Sequence, residues 1–510
     1  MGVVKLGVRS SGILLHPTSL PGGLGCGDIG PSARAFVDWL QRAGQRWWQM
    51  LPVGPVGYGN SPYSALSALA GNPLLISMED LAEDGFLTSS EVQSAAPPVT
   101  TRVGYPVANR VKSELLHRAY GALSQQSAST RKDFETFRVA NAHWLPDYAL
   151  YRAVKASQRE VQWTLWPAEL RDRDPAALAR ARTAMAEDIL FREFEQWIFA
   201  RQWERLRRHC TSRGVGLVGD IPIFVAHDSA DVWQHRDLFR LGPDGSPTVV
   251  AGVPPDYFSA TGQRWGNPLY RWKHLRAQGY AWWIERFRIT LHRFDAVRLD
   301  HFIGFTRYWE IPADEPTAVR GRWMKGPGAP FFRAVRDELG TLPLIAEDLG
   351  AVTPAVKALR DRFHLPGIKI LQFAFGTDPS APDFKPHNYP RRAVVYTGTH
   401  DNDTTVGWFH DVGGSGTRSP EQTEKERQAC LRYIGSDGRR IHWDMIRTAM
   451  ASVAATAIFP MQDVLGLGTE ARMNLPGVAE GNWEWRMDAN STTDALAEAL
   501  RLTTATYDRI

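Results

Sequence analysis

FDAVRLDHF, residues 294–302, reads as a short strand that ends in a carboxylate. Side chains along a strand alternate between faces, which puts Phe294, Ala296, Arg298 and Asp300 on one side. An arginine two positions before an aspartate on that side can hold it ionised through a charge-assisted hydrogen bond. Asp300 is therefore a candidate covalent nucleophile. An isolated Arg-x-Asp is more often a surface ion pair worth little, so the reading depends on what else the chain brings to the same place.

The rhythm of short apolar run and helix recurs on both sides of this stretch. Gly12 to Leu15 is followed by a helix opened at Pro31 and Ser32, with Ala33, Phe36, Val37 and Leu40 on one face and Gly44 as its stop. Arg46 to Leu51 is the next strand, and Val215 to Asp220 (VGLVGD) another. Beyond residue 300 come helix 330–339, strand 343–348, helix 353–363 with Thr353 as N-cap, strands 367–374 and 393–398, helices near 420–434 and 440–453, and strand 454–460. Strands near 13, 48, 217, 297, 345, 370, 395 and 457 number eight. Alternation with helices makes them parallel, and the fold class is an α/β protein, a (β/α)8 TIM barrel without a separate C-terminal β domain. Residues 1–510 then form one catalytic domain. It carries a helical insertion at 53–214, with helices at 108–123, 130–156 and 185–212, and a loop-rich insertion at 223–275, which is followed by a helix near 276–292.

Barrel chemistry sits at the carboxyl ends of the strands. Asp220 ends the third strand, Asp300 the fourth and Glu347 the fifth, and His400–Asp401 follows the seventh. Cleaving a glycosidic bond needs two acids in different states: a carboxylate to attack the anomeric carbon and a carboxyl, kept protonated, to serve the leaving oxygen. Asp300 with Arg298 suits the first role. Glu347, among Ile345, Ala346 and Leu349, suits the second, because an apolar setting raises a carboxyl pKa. Asp401, in the loop YTGTHDNDT, is placed to hold sugar hydroxyls.

GDIPIFVAHDSADVW (219–233), FDAVRLDHF (294–302), LIAEDLG (344–350) and YTGTHDNDT (396–404) resemble the four signature regions of the α-amylase clan. GNSPYSALSALAGNP (59–73), AGVPPDYFSATGQRWGNPLYRW (251–272), HFIGFTRYWEIPA (301–313), PHNY (386–389) and PMQDVLGLGTEARMN (460–474) resemble the amylomaltase family of 4-α-glucanotransferases more narrowly. The likeness runs from about residue 12 to 486. It implies Asp300 as nucleophile, Glu347 as general acid/base and Asp401 as transition-state stabiliser. It further implies that Arg298 and His400 support the sugar, that His301 faces the acceptor and that Asp220 holds the architecture. Tyr63, Asp256, Tyr257, Phe258, Trp265, Asn267 and Asn474 would contact substrate.

Transfer wins over hydrolysis only where water is kept from the glycosyl–enzyme ester or an acceptor is aimed far better. The 251–268 loop has the parts of a lid: Pro254–Pro255 for stiffness, Tyr257, Phe258 and Trp265 for apolar cover, and Gly252, Gly262 and Gly266 for bends. The expected activity is retaining transfer of an α-1,4-glucan segment to the 4-hydroxyl of another glucan or of glucose. The rivals are an α-1,4-glucan hydrolase with the same acids and a non-catalytic glucan-binding protein.

Composition narrows the remaining choices. A net charge of +4 without basic runs interleaved with aromatics argues against nucleic acid, and the chain lacks the apolar run a membrane span needs. Three scattered cysteines, Cys26, Cys210 and Cys430, suggest a reducing, cytoplasmic setting and neither disulfides nor a Cys-based zinc site. No cofactor or metal is expected, since cations rather than metal-ligand spacings accompany the acids, and the protein is expected to be a monomer. Of the 19 tryptophans, those in RWGNPLYRW (264–272) and NWEWR (482–486) sit in polar loops where rings suit the C–H faces of sugars. Trp47–Trp48 and Trp282–Trp283 read as core packing.

Overall fold

The computed structural model describes residues 5–98, 100–255, 259–413, 419–478 and 480–510. Among them are twelve strands: β1 (Ser10–Leu14), β2 (Trp47–Gln49), β3 (Gly216–Ile221), β4 (Val249–Val253), β5 (Gln263–Pro268), β6 (Ala296–Leu299), β7 (Arg307–Pro312), β8 (Arg322–Lys325), β9 (Leu344–Ala346), β10 (Gly367–Ile370), β11 (Ala393–Tyr396) and β12 (Thr456–Pro460). Eight of these, β1, β2, β3, β6, β9, β10, β11 and β12, close into a barrel in that order. Every neighbouring pair is parallel. This is the eight-stranded α/β barrel, with its strands at the expected places in the chain.

Small residues let the short strands pack closely. A Cβ on Gly12 of β1 would lie 2.4 Å from the Trp47 Cβ of β2, and one on Gly219 of β3 would lie 2.4 Å from the Phe294 ring. Phe294 also meets Trp203 of helix Ala186–Ser212 edge-on, with ring centroids 5.2 Å apart. Trp47, Trp48, Trp282 and Trp283 are all buried. Helix Pro31–Arg42 buries Ala33, Phe36, Val37 and Leu40, as its periodicity demands.

Several local readings need correction, among them 367–374, where Gly367–Ile370 is strand and Leu371–Ala374 is a 3-10 helix. The run 130–156 is two helices, Ala128–Ala140 and Leu145–Ser157. Asn141 ends the first by donating its side-chain amide to the Phe137 carbonyl, and Pro146, which has no N–H to give, fits only the first turn of a new helix. Thr353 holds the N-cap position of Pro354–Arg362, but its side chain makes no capping bond. The largest correction concerns 223–275, which is more than loop. Strands β4 and β5 lie there, and with β7 and β8 they form an antiparallel sheet in the order β5-β4-β7-β8. Glu310 of β7, buried, pairs with Arg322 of β8 and with Arg240 in the segment before β4. Gly252 serves close approach within β4 rather than a bend, since a Cβ there would lie 2.2 Å from the Gln263 carbonyl oxygen of β5.

The amino-terminal end of the barrel is closed by arginines. Arg509, fully buried, donates to the carbonyls of Met450, Ser10, Ala455, Ser452 and Ala454. Arg9 donates to Tyr507, Ser452 and Met450.

Candidate active site

The parallel register sets the site. Asp220 of β3 and Arg298 of β6 are Cα partners across the sheet, so the guanidinium reaches sideways to the Asp220 Oδ2 at 2.7 Å. The same guanidinium reaches forward to the Asp300 Oδ1 at 2.8 Å. The Tyr63 hydroxyl donates to the same Asp220 oxygen at 2.7 Å. Burial pushes Asp220 up to about 7 against the pull of Arg298. It pushes Glu347 well above the ordinary glutamate range, with Arg298 pulling down and Asp300 pushing further up. The Glu347 carboxylate accepts the backbone N–H of His301 at 2.6 Å. Since His301 directly follows Asp300, Glu347 faces the nucleophile candidate rather than the far rim.

His301 adopts the left-handed region, at φ +49° and ψ +51°. For a non-glycine residue that costs on the order of 1 kcal/mol or more. Its ring is half-buried, and the loss of hydration holds its pKa down to about 4, while its Nε2 has no protein partner. Trp265 of β5 stands edge-on to that ring, 4.9 Å between centroids, and is itself 38% exposed. The antiparallel sheet thus brings Trp265 of the candidate lid to His301.

After β11, His400 is buried and its pKa lowered by that burial. Its Nε2 lies 3.4 Å from the Asp401 Oδ2, and its ring stacks on Tyr63 at 5.1 Å and 17°. The charges of Asp300 and Asp401 both act on Tyr63 and on His400, so these two rings join the two halves of the site. The Asn474 amide donates to the Asp401 Oδ1 at 2.6 Å.

Among the described residues, the site therefore gathers Asp220, Arg298, Asp300, His301, Glu347, His400, Asp401, Tyr63, Trp265 and Asn474. Asn267 is engaged elsewhere, donating to the Val225 carbonyl at 2.9 Å. Asp256, Tyr257 and Phe258 lie outside the described residues. The NWEWR aromatics are not open platforms. Trp483 and Trp485 are buried, and Trp483 backs Tyr63 and His400 at 5.8 and 5.9 Å.

Sequence reasoning missed the supports of the Asp401 loop. Arg472 donates to the Asp401 carbonyl. The Asp463 carboxylate, fully enclosed, takes the Thr397 and Thr405 hydroxyls and the Thr405 N–H. These partners stand more than fifty residues apart in sequence, and only their place within PMQDVLGLGTEARMN hinted at them. No group of three or more His, Cys, Asp or Glu among the described residues is arranged to hold a metal ion.

A closed parallel barrel with one ionic and one buried carboxyl at its carboxyl-end mouth is the layout of a glycosidic-bond enzyme of the (β/α)8 class. The chain belongs to the 4-alpha-glucanotransferase family, whose model matches residues 15–492. The 4-alpha-glucanotransferase of Thermus thermophilus is 49% identical over 488 residues, covering 94% of this chain and 95% of that protein. The one from Synechocystis is 48% identical over 508 residues, covering 98% of each. Among solved structures, the amylomaltase of Streptococcus agalactiae in complex with acarbose superposes with a TM-score of 0.93 at 35% identity, covering 98% of this chain and 99% of that one.

Proposed function

We propose that the chain is a retaining 4-α-glucanotransferase acting on α-1,4-glucans and maltooligosaccharides, with Asp300, Glu347 and Asp401 as its working acids. The observation that carries this reading is the contrast between the two carboxyls at β6 and β9. Asp300 sits in an ion pair with Arg298, whereas Glu347 is buried and its proton is held more tightly. In the first step an Asp300 oxygen bonds to the anomeric carbon and the bond from that carbon to the leaving O4 breaks. The Glu347 proton passes to that O4. In the second step Glu347 takes the proton from an acceptor 4-hydroxyl, the acceptor oxygen bonds to the anomeric carbon, and Asp300 is released.

Tyr63, Asp220, Arg298 and His400 support the donor sugar in this reading, and Asn474 orients Asp401. His301 and Trp265 face the acceptor. Residues 251–268 serve as the lid, carried on the antiparallel strands β4 and β5, and residues 53–214 form the helical insertion that contributes Tyr63. The acceptor is a second glucan or free glucose, with no nucleic acid or membrane as partner, and the protein works as a monomer. Cys26, Cys210 and Cys430 are free and buried, which suits a cytoplasmic, reducing setting.

Maltotriose as sole substrate tests the activity. A ladder of longer glucans with released glucose is the expected outcome, and only shorter sugars with new reducing ends would mean hydrolysis. The Asp300 and Glu347 carboxyls are expected about 5–5.5 Å apart in a crystal structure, the retaining separation, rather than ~6.5–9.5 Å.

A further inference from the structure

Backbone donors at the end of β6 change partner strand within three residues. The Asp300 N–H goes to the Ile221 carbonyl of β3 at 2.9 Å. The next two both go to one residue after β9: the His301 N–H to the Glu347 Oε2 at 2.6 Å and the Phe302 N–H to the Glu347 carbonyl at 3.0 Å. In an extended chain successive N–H groups point to opposite sides. Here two in a row reach the side chain and the main chain of one residue because the backbone between them turns through the left-handed region. His301 supplies that turn, at φ +49°, directly before the 3-10 helix Phe302–Phe305.

We propose that the left-handed backbone of His301 is a positioning device for Glu347, separate from any contact its imidazole makes with sugar. The turn grips Glu347 by side chain and main chain at once and fixes its carboxyl beside Asp300. The side-chain bond also bears on proton transfer. A backbone N–H binds a carboxylate more strongly than a carboxylic acid, so this donor gains strength as Glu347 gives up its proton. It opposes the effect of burial, which holds that proton on. This inference rests on Glu347 being the general acid/base.

The test is a series at one position: His301→Gly, His301→Asn, His301→Ala and His301→Val. All four lose the imidazole, but glycine and asparagine tolerate the left-handed turn, alanine less so and valine least. Turnover of maltotriose should fall in the order Gly and Asn, then Ala, then Val, with Val about tenfold or more below Gly. The upper limb of the kcat/KM pH profile should lie higher in Val than in Gly by roughly half a unit, because losing an N–H donor leaves the carboxyl harder to ionise. First-turnover fluoride release from α-maltotriosyl fluoride, whose leaving group needs no proton, should narrow the gap. Should Val fail to fold, the Ala–Gly pair carries the same comparison.

Four variants with equal rates and equal pH limbs would overturn the proposal. Glu347→Gln run alongside separates the two levels of argument. If it loses fluoride release and maltotriose turnover equally, the acid/base reading itself fails. If it keeps fluoride release while the His301 series is flat, the positioning role alone fails.

Discussion

The two ends of this barrel both bury charge, and they treat it differently. At the amino-terminal floor, Arg509 gives all of its donors to five carbonyls, although burial holds its pKa down to about 9. At the mouth, Arg298 is as deeply enclosed but is shared between Asp220 and Asp300, and its Nε is left without a partner, as are the Asp220 Oδ1 and the His301 Nε2. A fully satisfied network rigidifies, whereas unpaired buried polar atoms are costly unless a ligand completes them. At the floor the buried cation is satisfied by the chain's own carbonyls, and at the mouth it is shared between two aspartates.

The sharpest way to break that contrast is at the nucleophile. Asp300→Asn should cut maltotriose disproportionation by roughly a thousandfold or more while the far-ultraviolet circular dichroism stays unchanged, because an amide cannot form the glycosyl ester. Near-normal turnover would move the nucleophile elsewhere. The opposite pattern is expected at the floor. Arg509→Ala should destabilise the fold by about 3 kcal/mol, read from a lowered unfolding midpoint, with several charge-assisted bonds lost together. Its kcat at low temperature should stay near that of the parent. A drop in kcat without a drop in stability would dissolve the division between the two ends.

How much of this could be read from the chain follows the same division between local and distant. The barrel strands were legible because each is a short apolar run stopped by an acid or a loop, and Arg298 and Asp300 were legible because they are two residues apart. Strands β4 and β5 were not. Residues 263–268, QRWGNP, carry Gly, Asn and Pro and are half-exposed, so neither composition nor alternation marks them. What makes β4 a strand is its pairing with β7 sixty residues on, Val249 opposite Pro312. The left-handed turn at His301 was equally hidden, because histidine does not advertise positive φ as glycine would. The bonds from Tyr63 to Asp220 and from Asn474 to Asp401 span 157 and 73 residues. Likeness to a family marked these four as site residues without giving the bonds between them.

A smaller effect tests the buried acid through stability alone. The Glu347 pKa in the folded state lies above its ordinary 4.5, so the fold binds this proton more tightly than the unfolded chain does. That contribution is fully present below about pH 4.5 and is lost as pH rises through the folded value. Glu347→Gln, neutral at every pH, should therefore gain on the parent progressively as pH rises from 5 to 8 and show little difference at pH 4. Unfolding midpoints across that range check it, and a gap that stays constant with pH would mean the carboxyl is not held protonated.

The smallest expected effect is the one that bears on why this mouth transfers rather than hydrolyses. Among the described residues, Trp265 meets the site through its edge-on contact with His301, and its indole N–H is satisfied by Gln263 within the same strand. An edge-to-face pair is worth about 0.5–1.5 kcal/mol, and Trp265 is part-exposed, so Trp265→Ala should leave the unfolding midpoint almost unchanged. It removes apolar cover over the acceptor side, where water and a sugar hydroxyl compete for the same ester. The share of turnovers ending in hydrolysis should rise severalfold, by about 1 kcal/mol of lost discrimination, measured as new reducing ends per glucose released from maltotriose. Asn267→Ala is the useful companion, since that amide braces the Val225 carbonyl at the base of the same hairpin. A matching rise there would place water exclusion in the hairpin as a whole, while a rise confined to Trp265→Ala would place it in the indole.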